Sequence, residues 1–231
     1  MPGDLYDRQH EIGVTNPGAI TVVGVGGIGS WVAIDLAMSG IENLYLFDPD
    51  VMEESNRNRL PFCQSSINRP KVEVVAEYIK AIRPECIVVA VQEKLEGILL
   101  QIQLSVSNLI IECTDSPKSQ FTVYKACQAV GKRFIRAGYD GTHGTVSGSV
   151  SGWIKTDSEE ENYAVNPSWV VPSQIFAALA VAKAMKYFDQ EVSIDISEIG
   201  NPQIQRQRKL TARCNQPVAT TDTLGIPRRR R

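Results

Sequence analysis

The chain has 231 residues, 43% of them hydrophobic, with a formal net charge of −2, five cysteines and two histidines. That composition suits a domain with a sizeable core, and no apolar run approaches the roughly 20 residues of a membrane span. The net charge hides an asymmetry. Residues 1–200 carry 16 basic and 25 acidic side chains, a net of −9, whereas residues 201–231 carry eight basic and one acidic, a net of +7. The expected division is a folded domain over 1–200 and a basic, flexible tail over 201–231. The opening MPGDLYDRQHEIG has neither a basic start nor an apolar stretch, so a cytoplasmic location is expected. Cys63, Cys86, Cys113, Cys127 and Cys214 form no C-x-x-C pair, so no zinc is expected.

In chain order, AITVVGV has the continuous apolar character of a strand buried on both faces, and GSWVAIDLAMSG follows as a helix stopping at Gly40. NLYLFDPD is a second strand ending in acids. RPKVEVVAEYIKAIRP is a helix with Val72, Val75, Ala76 and Ile79 at helical spacing. CIVVAVQ and SNLIIECTD are further strands, and KSQFTVYKACQAVGK is a helix closed by Gly131. RFIRAGYDG and TVSGSVSGWI are strands, and after an acidic segment PSQIFAALAVAKAMKYF is an apolar helix. This alternation predicts a doubly wound, Rossmann-like α/β fold. Its sheet is mostly parallel with helices on both faces, and it has an antiparallel extension near the C-terminal part.

ITVVGVGGIGSW runs from strand into G-x-G-G-x-G. Gly24 permits the tight turn, Gly26 or Gly27 lets the backbone approach a phosphate, and Gly29 lets the helix pack closely. The helix N-terminus offers N–H groups to the anion, and Asp48, 19 residues beyond Gly29, is placed to accept from a ribose. By itself this context favours NAD. The next residues shift the balance: Asp48 and Asp50 are followed by Ser55, Asn56, Arg57 and Arg59, and then by Lys71 at a helix start. Cations here would neutralise the charge that develops when a triphosphate is cleaved; taken singly, each also reads as a solvated loop charge. Thr114 and Asp115 end the fourth strand, where Asp115 either holds Mg²⁺ or caps the next helix, with Ser116 as the alternative cap.

YDRQ, VVGVGGIGS, LFDPDVMEESNRNR, RPK and CTDSPKSQ occur in the order of the ThiF/MoeB superfamily, which shares the adenylation domain of ubiquitin-activating enzymes, and the chain resembles that family from Asp4 to Gly138. The resemblance implies an ATP-dependent adenylyltransferase that forms an acyl-adenylate and releases pyrophosphate. It implies that Gly24, Gly26, Gly27 and Gly29 cradle ATP with Asp50 and Thr114 nearby, and that Asp48 holds the ribose. Asn56, Arg59 and Lys71 would contact the phosphates, and Asp115 would bind Mg²⁺. Arg8 would reach the site of the other subunit of a homodimer. The implied substrate is the C-terminus of a ubiquitin-like or sulfur-carrier protein. The alternatives are a carboxyl group on a modified tRNA base, an NAD(P)-dependent oxidoreductase and a catalytically silent scaffold.

Two departures stand out. The crossover segment WIKTDSEEENYAVNPSWVVPSQ has no cysteine, and Cys113 and Cys127 fall in predicted core elements, so thioester formation is not expected; Cys214 lies in the tail. Gln120 stands where the family often has arginine. Tyr139, His143, Trp153 and Trp169 are candidates for the substrate groove, although single aromatics more often belong to the core.

Overall fold

The computed structural model describes residues 5–150 and 167–199. The chain divides into two units, residues 1–195 and 196–231, and the described part of the second is the short turn Ile196–Glu198 with Ile199. Predicted features in the tail and in the acidic crossover segment, Trp153 and Cys214 among them, lie outside the described residues.

In the first unit a short helix α1 (Asp7–His10) precedes strand β1 (Ile20–Val23), α2 (Gly27–Met38), β2 (Asn43–Phe47), α3 (Lys71–Ile82), β3 (Ile87–Val91), α4 (Gly97–Val106), β4 (Leu109–Glu112) and α5 (Pro117–Ala129). Then come β5 (Arg133–Asp140), β6 (His143–Ser147), α6 (Val170–Ala184) and β7 (Val192–Asp195). The seven strands form one sheet in the order β3-β2-β1-β4-β5-β6-β7. The first five are parallel, and β6 and β7 add antiparallel to β5, as the alternation predicts. After β3 the chain returns to the other side of β1, so the topology reverses between β1 and β4.

The central strands are apolar because both of their faces are covered. All four residues of β1 and all four of β4 are buried. Thr21 and Val23 face α4 and α5: the Thr21 hydroxyl bonds Gln103 on α4, and Val23 clusters with Phe47, Leu100, Leu104, Ile110, Val123 and Cys127. By strand alternation Ile20 and Val22 face the other layer, where α2 packs between α3 and α6. Each such aliphatic side chain contributes about 1.5–3 kcal/mol by leaving water. Helix α2 is apolar nearly all round, as a helix enclosed by a sheet and two helices must be. It ends at Gly40, whose φ of +93° no β-substituted residue adopts readily. Among the described residues, no helix is long and apolar enough to cross a membrane.

Candidate active site

Three strand ends meet at the carboxyl edge beside the β1/β4 reversal: Gly24 after β1, Asp48 after β2, and Cys113–Asp115 after β4. Open α/β sheets bind ligands at this position. Gly24 has φ +78°, and a Cβ there would lie 2.8 Å from Thr114 Cγ2, so the glycine both makes the turn and lets the β4 loop close against it. At Gly29 a Cβ would lie 1.8 Å from the Gly24 carbonyl oxygen, so α2 presses directly onto that turn. No side chain caps α2, and a Cβ on Gly26 would meet nothing within 4 Å. The helix N-terminus therefore opens onto empty space, the arrangement that suits a phosphate.

That space is a cavity of about 710 Å³, within the roughly 300–1,000 Å³ of small-molecule sites. Gly26, Gly27 and Ile28 line one part of it, Asp50, Arg59 and Lys71 another, and Thr114, Asp115 and Gln120 a third. Arg136, Tyr139, Asp140, His143 and Thr145 close the side formed by β5 and β6. Residues from the loops after β1, β2 and β4, the start of α3, and β5 and β6 thus converge on one volume. A second cavity of about 460 Å³ holds none of the candidates. Its cations are engaged by carbonyls: Lys132 by Ser107, Arg133 by Ala184 and Lys183 by Gln190.

The basic pair sits where the sequence suggests. Lys71 opens α3, and its Nζ lies 2.8 Å from Asp50 Oδ2, while its N–H donates to the Asp50 carbonyl. Arg59 ends a 3-10 turn (Glu54–Asn58), with Nη1 donating to the Ser55 carbonyl at 2.8 Å and Asn58 Oδ1 at 2.9 Å. Trp31 of α2 donates to the Arg59 carbonyl, which ties this turn to the helix behind the glycine loop. Arg57, paired with Glu54, does not line the cavity.

Asp48 and Asn56 are buried behind the wall and do not line it. Asp48 accepts from the Val25 N–H at 2.8 Å and the Asp50 N–H at 2.9 Å, so it holds the glycine loop and the acidic loop together. Burial raises its pKa, and the Lys71 charge opposes the rise. Asn56 Oδ1 accepts from the Glu53 N–H and its carbonyl from the Arg59 N–H, which builds the turn that presents Arg59.

At the β4 end, Ser116 caps α5 by accepting from the Ser119 N–H, followed by Pro117. The cap is therefore Ser116, which leaves Asp115 on the cavity wall. The Thr114 hydroxyl is buried beside the Glu112 carboxylate. Among the described residues no group of three or more His, Cys, Asp or Glu could cage a metal. Mg²⁺ needs only one or two carboxylates alongside phosphate oxygens and waters, and Asp115 fits that demand.

Cys113 departs from the core placement expected of it: it lies just beyond β4, half-buried, on the cavity wall. Burial pushes its thiol well above the usual range, which opposes nucleophilic use. Cys127 is buried as expected. Tyr139 and His143 line the cavity, and Tyr139 Oη bonds Ser168 and, at 2.8 Å, Ser173 at the start of α6. Trp169 is exposed.

Arg8 is not at this site. It is exposed on α1, which Tyr6 and Gln9 fasten to the far end of α2: the Tyr6 ring lies against Gly40, and Gln9 donates to the Ser39 carbonyl. The 12 residues of α2 separate α1 from the glycine loop by about 18 Å at ~1.5 Å per residue.

Sequence reasoning misses Glu112 and Arg136. The signal was present as a charge inside each of the apolar strands LIIE and RFIRA. Both side chains are buried: Glu112 accepts from the Thr114 N–H, and Arg136 donates to Gln120, which in turn holds the Thr114 carbonyl.

The architecture and the position of the cavity define a doubly wound α/β domain that takes its ligand at the topological reversal. The chain belongs to the ThiF family, whose model matches residues 15–214. It is 29% identical over 119 residues to the sulfur carrier protein ThiS adenylyltransferase of Escherichia coli K12, covering 51% of this chain and 47% of that protein. It is 49% identical over 70 residues to the tRNA threonylcarbamoyladenosine dehydratase of Haemophilus influenzae, covering 30% and 27%. The crystal structure of E. coli MccB with ATP superposes with a TM-score of 0.68 at 21% identity, over 85% of this chain and 70% of that one. The chain spans less than half the length of these two curated relatives.

Proposed function

We propose that this chain is an ATP-dependent adenylyltransferase that activates the C-terminal carboxylate of a ubiquitin-like or sulfur-carrier protein. The reading is carried by one observation: Arg59, Lys71, Thr114 and Asp115 gather with the glycine loop around a single cavity. In the reaction a carboxylate oxygen bonds the α-phosphorus of ATP. The bond from that phosphorus to the bridging oxygen breaks, and pyrophosphate leaves with the electron pair. Gly26, Gly27 and the α2 N-terminus cradle the phosphates, and Gly24 and Gly29 shape the turn behind them. Arg59 and Lys71 stabilise the leaving pyrophosphate, Lys71 turning from Asp50 toward it. Asp48 has one lone pair left on each oxygen for a ribose hydroxyl, and Asn56 acts by holding the Arg59 turn. Asp115 would hold Mg²⁺, which would supply charge neutralisation on the phosphates. Positioning and charge supply the catalysis, so no acid–base pair is needed. The adenylate passes on without a cysteine thioester. Arg8 serves the cavity of the other subunit in a homodimer, since α1 is fastened about 18 Å from its own glycine loop.

The stretch of 49% identity to a tRNA-modifying relative supports a second reading, in which the activated carboxyl group sits on a tRNA base. Pyrophosphate–ATP exchange separates the two. Exchange is expected with a ThiS-type carrier and absent in Asp115→Ala. Exchange only with tRNA bearing threonylcarbamoyladenosine selects the second reading. No exchange with either, alongside tight NAD binding, rejects both.

A further inference from the structure

We infer that Gln120, oriented by Arg136, is a positioning residue that fixes the Thr114–Asp115 turn against the cavity. Its catalytic consequence rests on the adenylation reading; its structural basis does not. Gln120 sits on α5, 2% exposed. Its Nε2 donates to the Thr114 carbonyl at 2.7 Å, and its Oε1 accepts from Arg136 Nε at 2.8 Å. A guanidinium only donates and a carbonyl oxygen only accepts, so the amide that bridges them has one permitted orientation. Arg136 is itself fixed. Nη1 donates to Thr145 Oγ1 on β6 at 2.7 Å, and the side chain runs along β5 over Gly138, where a Cβ would lie 2.9 Å from Nη2.

The turn is held from its other side as well. The Thr114 N–H donates to Glu112 Oε1 at 2.8 Å, and Glu112 Oε2 accepts from the Ser119 hydroxyl. Both backbone groups of Thr114 therefore end on buried side chains, and rotating the turn would strand a buried donor or acceptor. This gives the departure from the family pattern a physical reading. With Arg136 entering from β5, a second arginine at position 120 would face a like charge, whereas glutamine accepts from Arg136 and still donates to the turn.

Gln120→Glu tests this directly. The carboxylate keeps the shape and pairs with Arg136, but it has no proton to give the Thr114 carbonyl. The melting temperature should fall by only a few degrees, the scale of one stranded acceptor, while amide hydrogen exchange accelerates in residues 113–116. In pyrophosphate exchange kcat should fall about 100-fold, the scale of a 1 Å misplacement, with little change in KM for ATP. Gln120→Arg alone should be impaired, and adding Arg136→Gln should restore most of kcat, because arginine then reaches both the Thr114 carbonyl and the new amide. Unchanged hydrogen exchange in the turn overturns the inference, as does a loosened turn with wild-type kcat, or early melting with KM and kcat lost together. If the turn loosens while wild type itself supports no pyrophosphate exchange, the clamp stands and the adenylation reading fails.

Discussion

Glu112 ends β4 with its carboxylate enclosed, and burial pushes its pKa from the usual 4.5 up to about 7 against the hydrogen bonds from Thr114 and Ser119. A folded-state pKa above the unfolded value means that the native protein binds this proton more tightly. The associated stability is fully present below about pH 4.5 and is lost as pH rises through about 7. Glutamine at this position keeps an acceptor for the Thr114 N–H and offers Ser119 a donor, but it does not titrate. Thermal melts from pH 5 to 8 should therefore show wild type losing stability relative to Glu112→Gln as pH rises; parallel curves would refute the assignment. Asp35, raised to about 6, and Asp48 shift in the same direction in both proteins, so the difference isolates Glu112. At this scale the sequence was legible for Gly24 and Gly29, whose turn and close packing follow from spacing, and for the placement of Arg59 and Lys71 on the cavity wall. It was not legible for Glu112 and Arg136, which act through partners brought in from other elements.

Elements were legible where one periodicity dominated. Continuous apolar runs announced β1 and β4, and the spacing of Val72, Val75 and Ile79 announced α3, where all three are buried. Helix α4 escaped because it is apolar on both sides: Leu100 and Leu104 are buried, whereas Ile98, Ile102 and Val106 are exposed, so the pattern offers no single stripe. Strand β7 is four residues long, too short for alternation to declare itself, yet it completes the antiparallel extension beside β6. The cap of α5 shows how local geometry decides between neighbours. Asp115 and Ser116 are both good caps by type, and only the Ser116 bond to the Ser119 N–H assigns that role, leaving the aspartate to the cavity.

For the whole molecule, strand order does most of the positioning. The reversal between β1 and β4 brings the glycine loop, the acidic loop and the Thr114–Asp115 turn to one edge, while α1 lies beyond the far end of α2. That separation makes the role of Arg8 testable by mixing subunits. Arg8→Ala and Asp115→Ala proteins, each inactive alone, should regain exchange on mixing, because one site of the mixed dimer would have both residues intact; no recovery despite proven subunit exchange would count against action across a dimer. The central claim concerns which phosphate is attacked. Wild-type protein, a carrier bearing a C-terminal carboxylate and ATP labelled on the α-phosphate should yield label in an acid-stable carrier adenylate and in AMP, with unlabelled pyrophosphate released. Label recovered in ADP, with free phosphate as the other product, would contradict adenylation.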